Sequence, residues 1–149
     1  YKPSATSTTR EELGFISEAL NVLVKGIPIK TCLQTFFGDF SQILPDALDF
    51  QVNHFGIDLY ETNIEKLKEY RFDKGVALGL VDSRSSLVEN EDELVAVAKK
   101  IVESIRPSKL SEVFVCPNCD LDFLPWERIE KKMKVVGAVA KRLREEFNE

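Results

Sequence analysis

Val76-Ala77-Leu78-Gly79-Leu80-Val81 runs apolar without a break and stops at the polar turn Asp82-Ser83-Arg84. A strand buried on both faces reads this way, as in a parallel sheet with helices packed on it. The neighbouring segments repeat the theme. Val52 to Tyr60 alternates, with Phe55, Ile57 and Leu59 on one face and His54, Gly56 and Asp58 on the other. Ile27 to Phe37 is rich in β-branched and aromatic residues, and Glu112 to Cys116 supplies a further run. Strands are therefore expected near 29–37, 53–59, 76–82 and 112–117.

Helical signals fill the intervals. Thr9 with Glu12 has capping-box spacing, Leu13, Ile16, Leu20 and Leu23 follow at helical intervals, and Gly26 ends the run. Residues 41–49 predict a short helix with Pro45 near its start, and 61–71 a charged one. Asn90 caps a helix whose apolar face is Leu94, Val97, Ala98, Ile101, Val102 and Ile105. Pro125 opens a last helix with Ile129, Met133, Val136, Ala140 and Leu143 on its inner stripe. Strands alternating with helices predict an α/β fold with consecutive βα units on one parallel sheet.

Composition fits a single soluble domain over 1–149: hydrophobic residues make up 44% and charged ones 30%, with net charge −5. An acidic chain is a poor match for nucleic acid. Its basic run, Lys131, Lys132, Lys134, Lys141, Arg142 and Arg144, reads as the solvated face of the last helix. No stretch approaches a membrane span, and no signal peptide opens the chain. The three cysteines, Cys32, Cys116 and Cys119, are too few for a disulfide scaffold, so a reducing cytoplasm is expected. The only methionine is Met133, and the start is expected upstream of Tyr1.

Parallel α/β folds place their sites at the carboxyl ends of strands. That rule selects Gln34, Asp58, Asp82, Arg84 and Cys119 as candidates for binding a substrate. Cys116-Pro117-Asn118-Cys119 suits a metal, a local disulfide or one thiolate, but equally a packed cysteine with an incidental neighbour. Asp58 suits a metal, an amine or an arginine, and equally an ion pair. His54 suits an interior position better than a ligand role, and Asp82 and Arg84 also suit pairing between loops. Phe36, Phe37 and Phe40 are expected in the core. Tetrahedral zinc needs at least three protein ligands, and Asp58 with Cys119 are two.

The order of these segments carries more than any one of them. Thr35-Phe36-Phe37-Gly38-Asp39, Gly56-Ile57-Asp58-Leu59, Leu78-Gly79-Leu80-Val81-Asp82-Ser83-Arg84 and Val115-Cys116-Pro117-Asn118-Cys119-Asp120-Leu121 together resemble the cobalamin-independent methionine synthase family. The resemblance covers about residues 27–126, and Tyr1-Lys2-Pro3-Ser4 stands where the family has Asp-Glu-Pro. It implies the second half of a TIM (β/α)8 barrel. The family's catalytic barrel holds zinc through His-x-Cys, a glutamate and a cysteine. Aligned on Asp39-Phe40, those positions hold Gln34, Phe36, Asp58 and Cys119, which is closer to the family's zinc-free N-terminal barrel.

The resemblance implies methyl transfer from a methylated folate or related donor to homocysteine, with no cofactor in this chain and zinc only if further ligands come from elsewhere. It also implies a partner, either a missing N-terminal half-barrel or another barrel. An open half-barrel exposes an apolar inner face and two edges, so pairing with that half or self-association is expected. A non-catalytic scaffold barrel of the same origin is the alternative. An unrelated flavodoxin-like binding domain would need a glycine-rich phosphate loop, which the sequence lacks.

Overall fold

The structure, a computed structural model, describes residues 8–105 and 112–147. Helix α1 (Arg10–Val24) is followed by four parallel strands: β1 (Cys32–Thr35), β2 (His54–Asp58), β3 (Gly75–Val81) and β4 (Val113–Pro117). They lie in the order β1-β2-β3-β4. Helix α2 (Ile64–Leu67) joins β2 to β3, α3 (Glu91–Ile105) joins β3 to β4, and α4 (Trp126–Phe147) follows β4. Two 3-10 turns, Phe40–Ile43 and Asp46–Asp49, occupy the β1–β2 crossover. This is the α/β fold of consecutive βα units that the sequence implies.

Register explains the layering. Phe55 pairs with Val76 and Ile57 with Leu78, and these in turn pair with Val113 and Val115. These side chains share the outer face. There they meet Leu94, Val95, Ala98, Ile101, Val102 and Ile105 of α3 and Val135, Val139 and Leu143 of α4 in one core. Each fully buried Val, Leu, Ile or Phe among them stabilises the fold by roughly 1.5–3 kcal/mol. The concave face carries Cys32, Gln34, His54, Gly56, Asp58, Gly75, Ala77, Gly79, Phe114 and Cys116. It is built mostly of glycine, alanine and cysteine, with Gln34, His54 and Asp58 as its polar members and Phe114 as its exposed large hydrophobic.

Several expected boundaries differ. The first strand is confined to Cys32–Thr35, because Pro28 has no N–H to offer a ladder and Phe37 turns the chain at φ 62°. The expected helix at 41–49 divides in two, since Pro45 holds Leu44 extended at ψ 147°. The charged helix at 61–71 shrinks to Ile64–Leu67, capped by Asn63, and the following chain buries Phe72. In α3, Val95 takes the inner position expected for Val97, which is exposed.

The inner stripe of α4 is Lys132, Val135, Val139 and Leu143, rotated from the expected one, so that Met133 is exposed. The cause is Lys132. It is fully buried, not solvated, and its Nζ donates to Glu89 Oε1 at 2.7 Å and to the Leu87 carbonyl. Arg142 pairs with Asp92, while Lys131, Lys134, Lys141 and Arg144 are exposed as expected. Phe40 is buried, but Phe36 and Phe37 are exposed at the end of β1.

The caps read from sequence are present. Thr9 and Glu12 form the reciprocal capping box. Asn90 Oδ1 accepts from the Asp92 and Glu93 N–H groups. The comparison of Tyr1-Lys2-Pro3-Ser4 with the family's acidic loop lies outside the described residues. Among the described residues, no helix is long and apolar enough to cross a membrane.

Candidate functional site

The carboxyl ends of β2, β3 and β4 converge on one buried polar network. Asp58, the last residue of β2, is fully buried. Its Oδ1 accepts from Tyr60 N at 3.0 Å and from Asn118 Nδ2 at 3.3 Å; its Oδ2 accepts from Phe37 N at 3.4 Å and lies 3.5 Å from Arg84 Nη1. Such a carboxylate has its hydrogen-bonding capacity met from within the chain.

Asp82 and Arg84 form the next layer, on the turn that ends β3. Asp82 Oδ1 accepts from Arg84 N and Arg84 Nε, both at 3.1 Å, and from Asn118 Nδ2 at 3.0 Å. Arg84 Nη1 also donates to Glu61 Oε1 at 2.9 Å, and the guanidinium sits 5.8 Å from the centre of the Phe37 ring. Three carboxylates and one aromatic face thus hold one planar cation, a geometry that suits Arg and not Lys.

Asn118 is the hub. It is fully buried, its amide bridges Asp58 and Asp82, and its Oδ1 accepts from Ser83 N at 2.9 Å. Its N–H donates to Val81 O, and its carbonyl faces Gln34 Nε2 at 3.4 Å. Gly79 lets it approach: a Cβ there would stand 2.5 Å from Ile57 O and 2.9 Å from Asn118 Cα. On the same face of the sheet, Gln34 lies across Gly56, where a Cβ would meet Gln34 Oε1 at 1.8 Å.

The electrostatics follow from this packing. Burial alone would push the Asp82 carboxyl up. Hydrogen bonds from Arg84 and Asn118, with the Arg84 charge, outweigh burial and hold it below the usual carboxylate range. Burial would lower Arg84, but Asp82, Asp58 and Glu61 raise it further. Tyr60, whose hydroxyl donates to Leu80 O at 3.0 Å, is pushed up to about 12 by burial and then by Glu89, Asp82 and Asp58.

The cysteines are raised too. Cys116 reaches about 12 through burial, with Cys32 adding to it. Burial raises Cys119 despite the opposing influence of Arg84 and Ser83. A thiol raised in this way carries less thiolate and is the weaker nucleophile for it. Ser83 Oγ donates to the Cys119 carbonyl at 2.9 Å, which ties the β4 loop to the β3 turn.

Of the residues chosen from sequence, Asp58, Asp82 and Arg84 are in direct contact, and Cys119 and Gln34 flank them. Sequence reasoning missed Asn118, Glu61 and Tyr60. Asn118 lay inside the Cys116–Cys119 motif, where the cysteines drew attention. Tyr60 and Glu61 followed Asp58 by two and three residues. Glu89 also belongs, since its Oε1 accepts from Asp82 N at 2.9 Å and so joins the site to Lys132. His54 lies apart at the other end of β2. It is buried, 3.9 Å from Glu112 and edge-on to Phe114 at 5.2 Å. Among the described residues, no three His, Cys, Asp or Glu side chains are gathered as a metal site.

Comparison with known proteins gives this arrangement its context. Residues 21–142 match the family described as the catalytic domain of cobalamin-independent synthase. The chain is 31% identical over 146 residues to a methionine synthase of Saccharolobus solfataricus and 25% identical over 144 residues to one of Sulfurisphaera tokodaii. Each alignment covers 96% of this chain, which spans only 43% and 42% of those relatives. A B12-independent methionine synthase from Shewanella sp. W3-18-1, solved in complex with selenomethionine, superposes with a TM-score of 0.76 at 15% identity. That match covers 92% of this chain and 45% of the other, which is a TIM barrel. The chain therefore belongs to the cobalamin-independent methionine synthase family.

Proposed function

We propose that the chain is half of a methionine-synthase-like methyltransferase barrel, a cytoplasmic one, acting with a complementary half in methyl transfer from a methylated folate or related donor to homocysteine. Family membership supports the reaction class. The observation that carries the reading is the Asp58–Asn118–Asp82–Arg84 network, placed at the carboxyl ends of three adjacent strands where barrel enzymes bind substrate. In this reading the network shapes one wall of the substrate site. Asp82 and Glu61 offer carboxylate edges to amino groups of a small-molecule substrate, and Arg84 holds those edges in place.

Zinc does not fit this wall. Asp58 already receives three hydrogen bonds and a guanidinium, Gln34 faces the Asn118 carbonyl and Phe36 has no donor atom, which leaves Cys119 as the one thiol of the family's ligand set and too few ligands for zinc. We therefore assign no metal to this chain alone and place thiol activation in residues outside it.

The test is methionine formation from homocysteine and 5-methyltetrahydrofolate. The assay uses the chain alone, and then mixed with the portion of the Saccharolobus solfataricus enzyme that it does not match. Turnover is expected only in the mixture, and Asp82→Asn in this chain should reduce it. Turnover indifferent to Asp82→Asn and Arg84→Met would leave the chain a scaffold. The satisfied state of Asp58 is what favours that second reading.

A further inference from the structure

Phe37 stands at φ 62°, the one non-glycine residue among the described ones with a left-handed backbone. That conformation is unfavourable for a bulky side chain and persists where the surroundings impose it. Glycine would adopt it freely. A glycine is next in the chain, but Gly38 has no positive φ, and a Cβ there would meet nothing within 4 Å. The turn after β1 thus has glycine where its freedom is unused and phenylalanine where freedom is needed. Burial of the ring is a weak offset to the strain, since Phe37 is 44% exposed.

The contacts of the ring say what the strain secures. The Arg84 guanidinium carbon lies 5.8 Å from the ring centre, within the range of cation–π attraction. Phe36 meets the same ring edge-on at 5.1 Å. One oxygen ties Phe37 and Arg84 together: Asp58 Oδ2 accepts from Phe37 N at 3.4 Å and lies 3.5 Å from Arg84 Nη1. Asp58 is fully buried at the end of β2, so this oxygen is a fixed point that holds the strained backbone and the cation in one geometry. The guanidinium directs its edges at Asp82 and Glu61, and Phe37 covers its face. Edge contacts set where the donors point, and a face contact keeps the plane from tilting away.

We propose that Phe37 is a positioning residue for the substrate wall: its left-handed backbone seats the ring on the Arg84 guanidinium and so fixes the Asp82 and Glu61 carboxylates for a ligand amine. This rests on the reading of that wall given above. Phe37 touches no reacting atom in this assignment and acts through Arg84. Glycine at this position would relieve the strain and lose the face contact.

The test follows the Arg84 Nε–H by nuclear magnetic resonance in the full chain, the signal being assigned by its loss in Arg84→Met. In Phe37→Gly its exchange with water should quicken by about threefold or more, in keeping with the loss of a cation–π contact. The Asp82 carboxyl should titrate higher than in the parent, because against the upward push of burial it is hydrogen bonds from Arg84 that hold it low. Phe37→Tyr should keep both parent values. Phe37→Leu has volume but no π face and should behave as the glycine variant does. Phe37→Asn, tolerant of a left-handed backbone, repeats the test if the glycine variant does not fold. Unchanged Arg84 exchange and Asp82 titration in Phe37→Gly would overturn the proposal, and a lower denaturation midpoint alone would leave the ring a packing element. Parent-like exchange in Phe37→Leu would overturn it too, because any apolar cover would then serve. These readouts need no turnover, so a chain that transfers no methyl group would count against the catalytic reading and not against the placement of Arg84 by Phe37.

Discussion

Asn118 Nδ2 lies 3.3 Å from Asp58 Oδ1 and 3.0 Å from Asp82 Oδ1, so one amide joins the carboxyl ends of three strands. The same side chain accepts from Ser83 N through its Oδ1. Both ends of a fully buried amide are thereby used, and its removal orphans several groups at once.

Asn118→Ala should therefore destabilise the chain by roughly 2–3 kcal/mol, the cost of leaving buried donors and acceptors unpaired. Asn118→Asp should be worse, because it sets a third carboxylate against Asp58 and Asp82. Urea unfolding checks both. An Asn118→Asp chain as stable as the parent would mean that the bridge contributes nothing.

Arg84→Met removes the cation that three carboxylates share. One side chain missing from a buried pair costs about 3–5 kcal/mol. Arg84 keeps 27% of its side-chain exposure, and solvent screening brings the expected loss to roughly 2 kcal/mol. The pH dependence has a definite sign. Asp82 is held below its unfolded value, so its contribution is present above about pH 4 and is lost as pH falls through the lowered folded value. Parent stability should fall along that acid limb. In Arg84→Met the limb should flatten, as measured by denaturation midpoints from pH 2 to 7.

The strands were legible because buried parallel strands are written as apolar runs, and Val76–Val81 is the plainest. The site was legible only as far as strand ends could be located. Asp58, Asp82 and Arg84 are polar residues that interrupt apolar strands. Asn118 does the same, but it carries no charge and sat between two cysteines. Lys132 was misread for a physical reason. Periodicity assumes that a lysine faces water, whereas a carboxylate seven residues beyond Asp82 and the carbonyl of Leu87 draw this one inward and rotate α4 with it. The crossover lengths were misjudged where Pro45 and Asn63 end or start helices that composition alone would extend.

That buried lysine can be tested directly. Lys132→Met fills similar volume but leaves Glu89, whose side chain is 14% exposed, without its cation and Leu87 O without a donor. A loss of about 3 kcal/mol is expected. Pairing it with Glu89→Gln should recover part of that, since the uncompensated charge is gone. A double variant no more stable than Lys132→Met would show that the cost comes from packing and not from charge.

Gly56 and Gly79 are both crowded, yet alanine should affect stability little at the first and clearly at the second. A Cβ at Gly56 would meet Gln34 Oε1 at 1.8 Å, but that atom is the far end of a flexible side chain and can swing aside. Gly56→Ala should then change stability by less than about 1 kcal/mol, with the strain offset by the lower entropy of the unfolded chain. Its effect should appear instead at the site, where Gln34 loses its place beside the Asn118 carbonyl. A Cβ at Gly79 would stand 2.5 Å from Ile57 O and 2.9 Å from Asn118 Cα, which are backbone atoms of β2 and of the residue that follows β4. Relief there requires β2 or β4 to shift, and a tightly packed core resists such a shift at a cost of roughly 1–3 kcal/mol. Gly79→Ala should therefore lower the unfolding midpoint and loosen amide protection in Asn118 and Ser83 together. Equal losses at the two glycines would mean that crowding by Gln34 is as rigid as crowding by backbone, and that Gln34 is fixed more firmly than its two 3.4 Å contacts suggest.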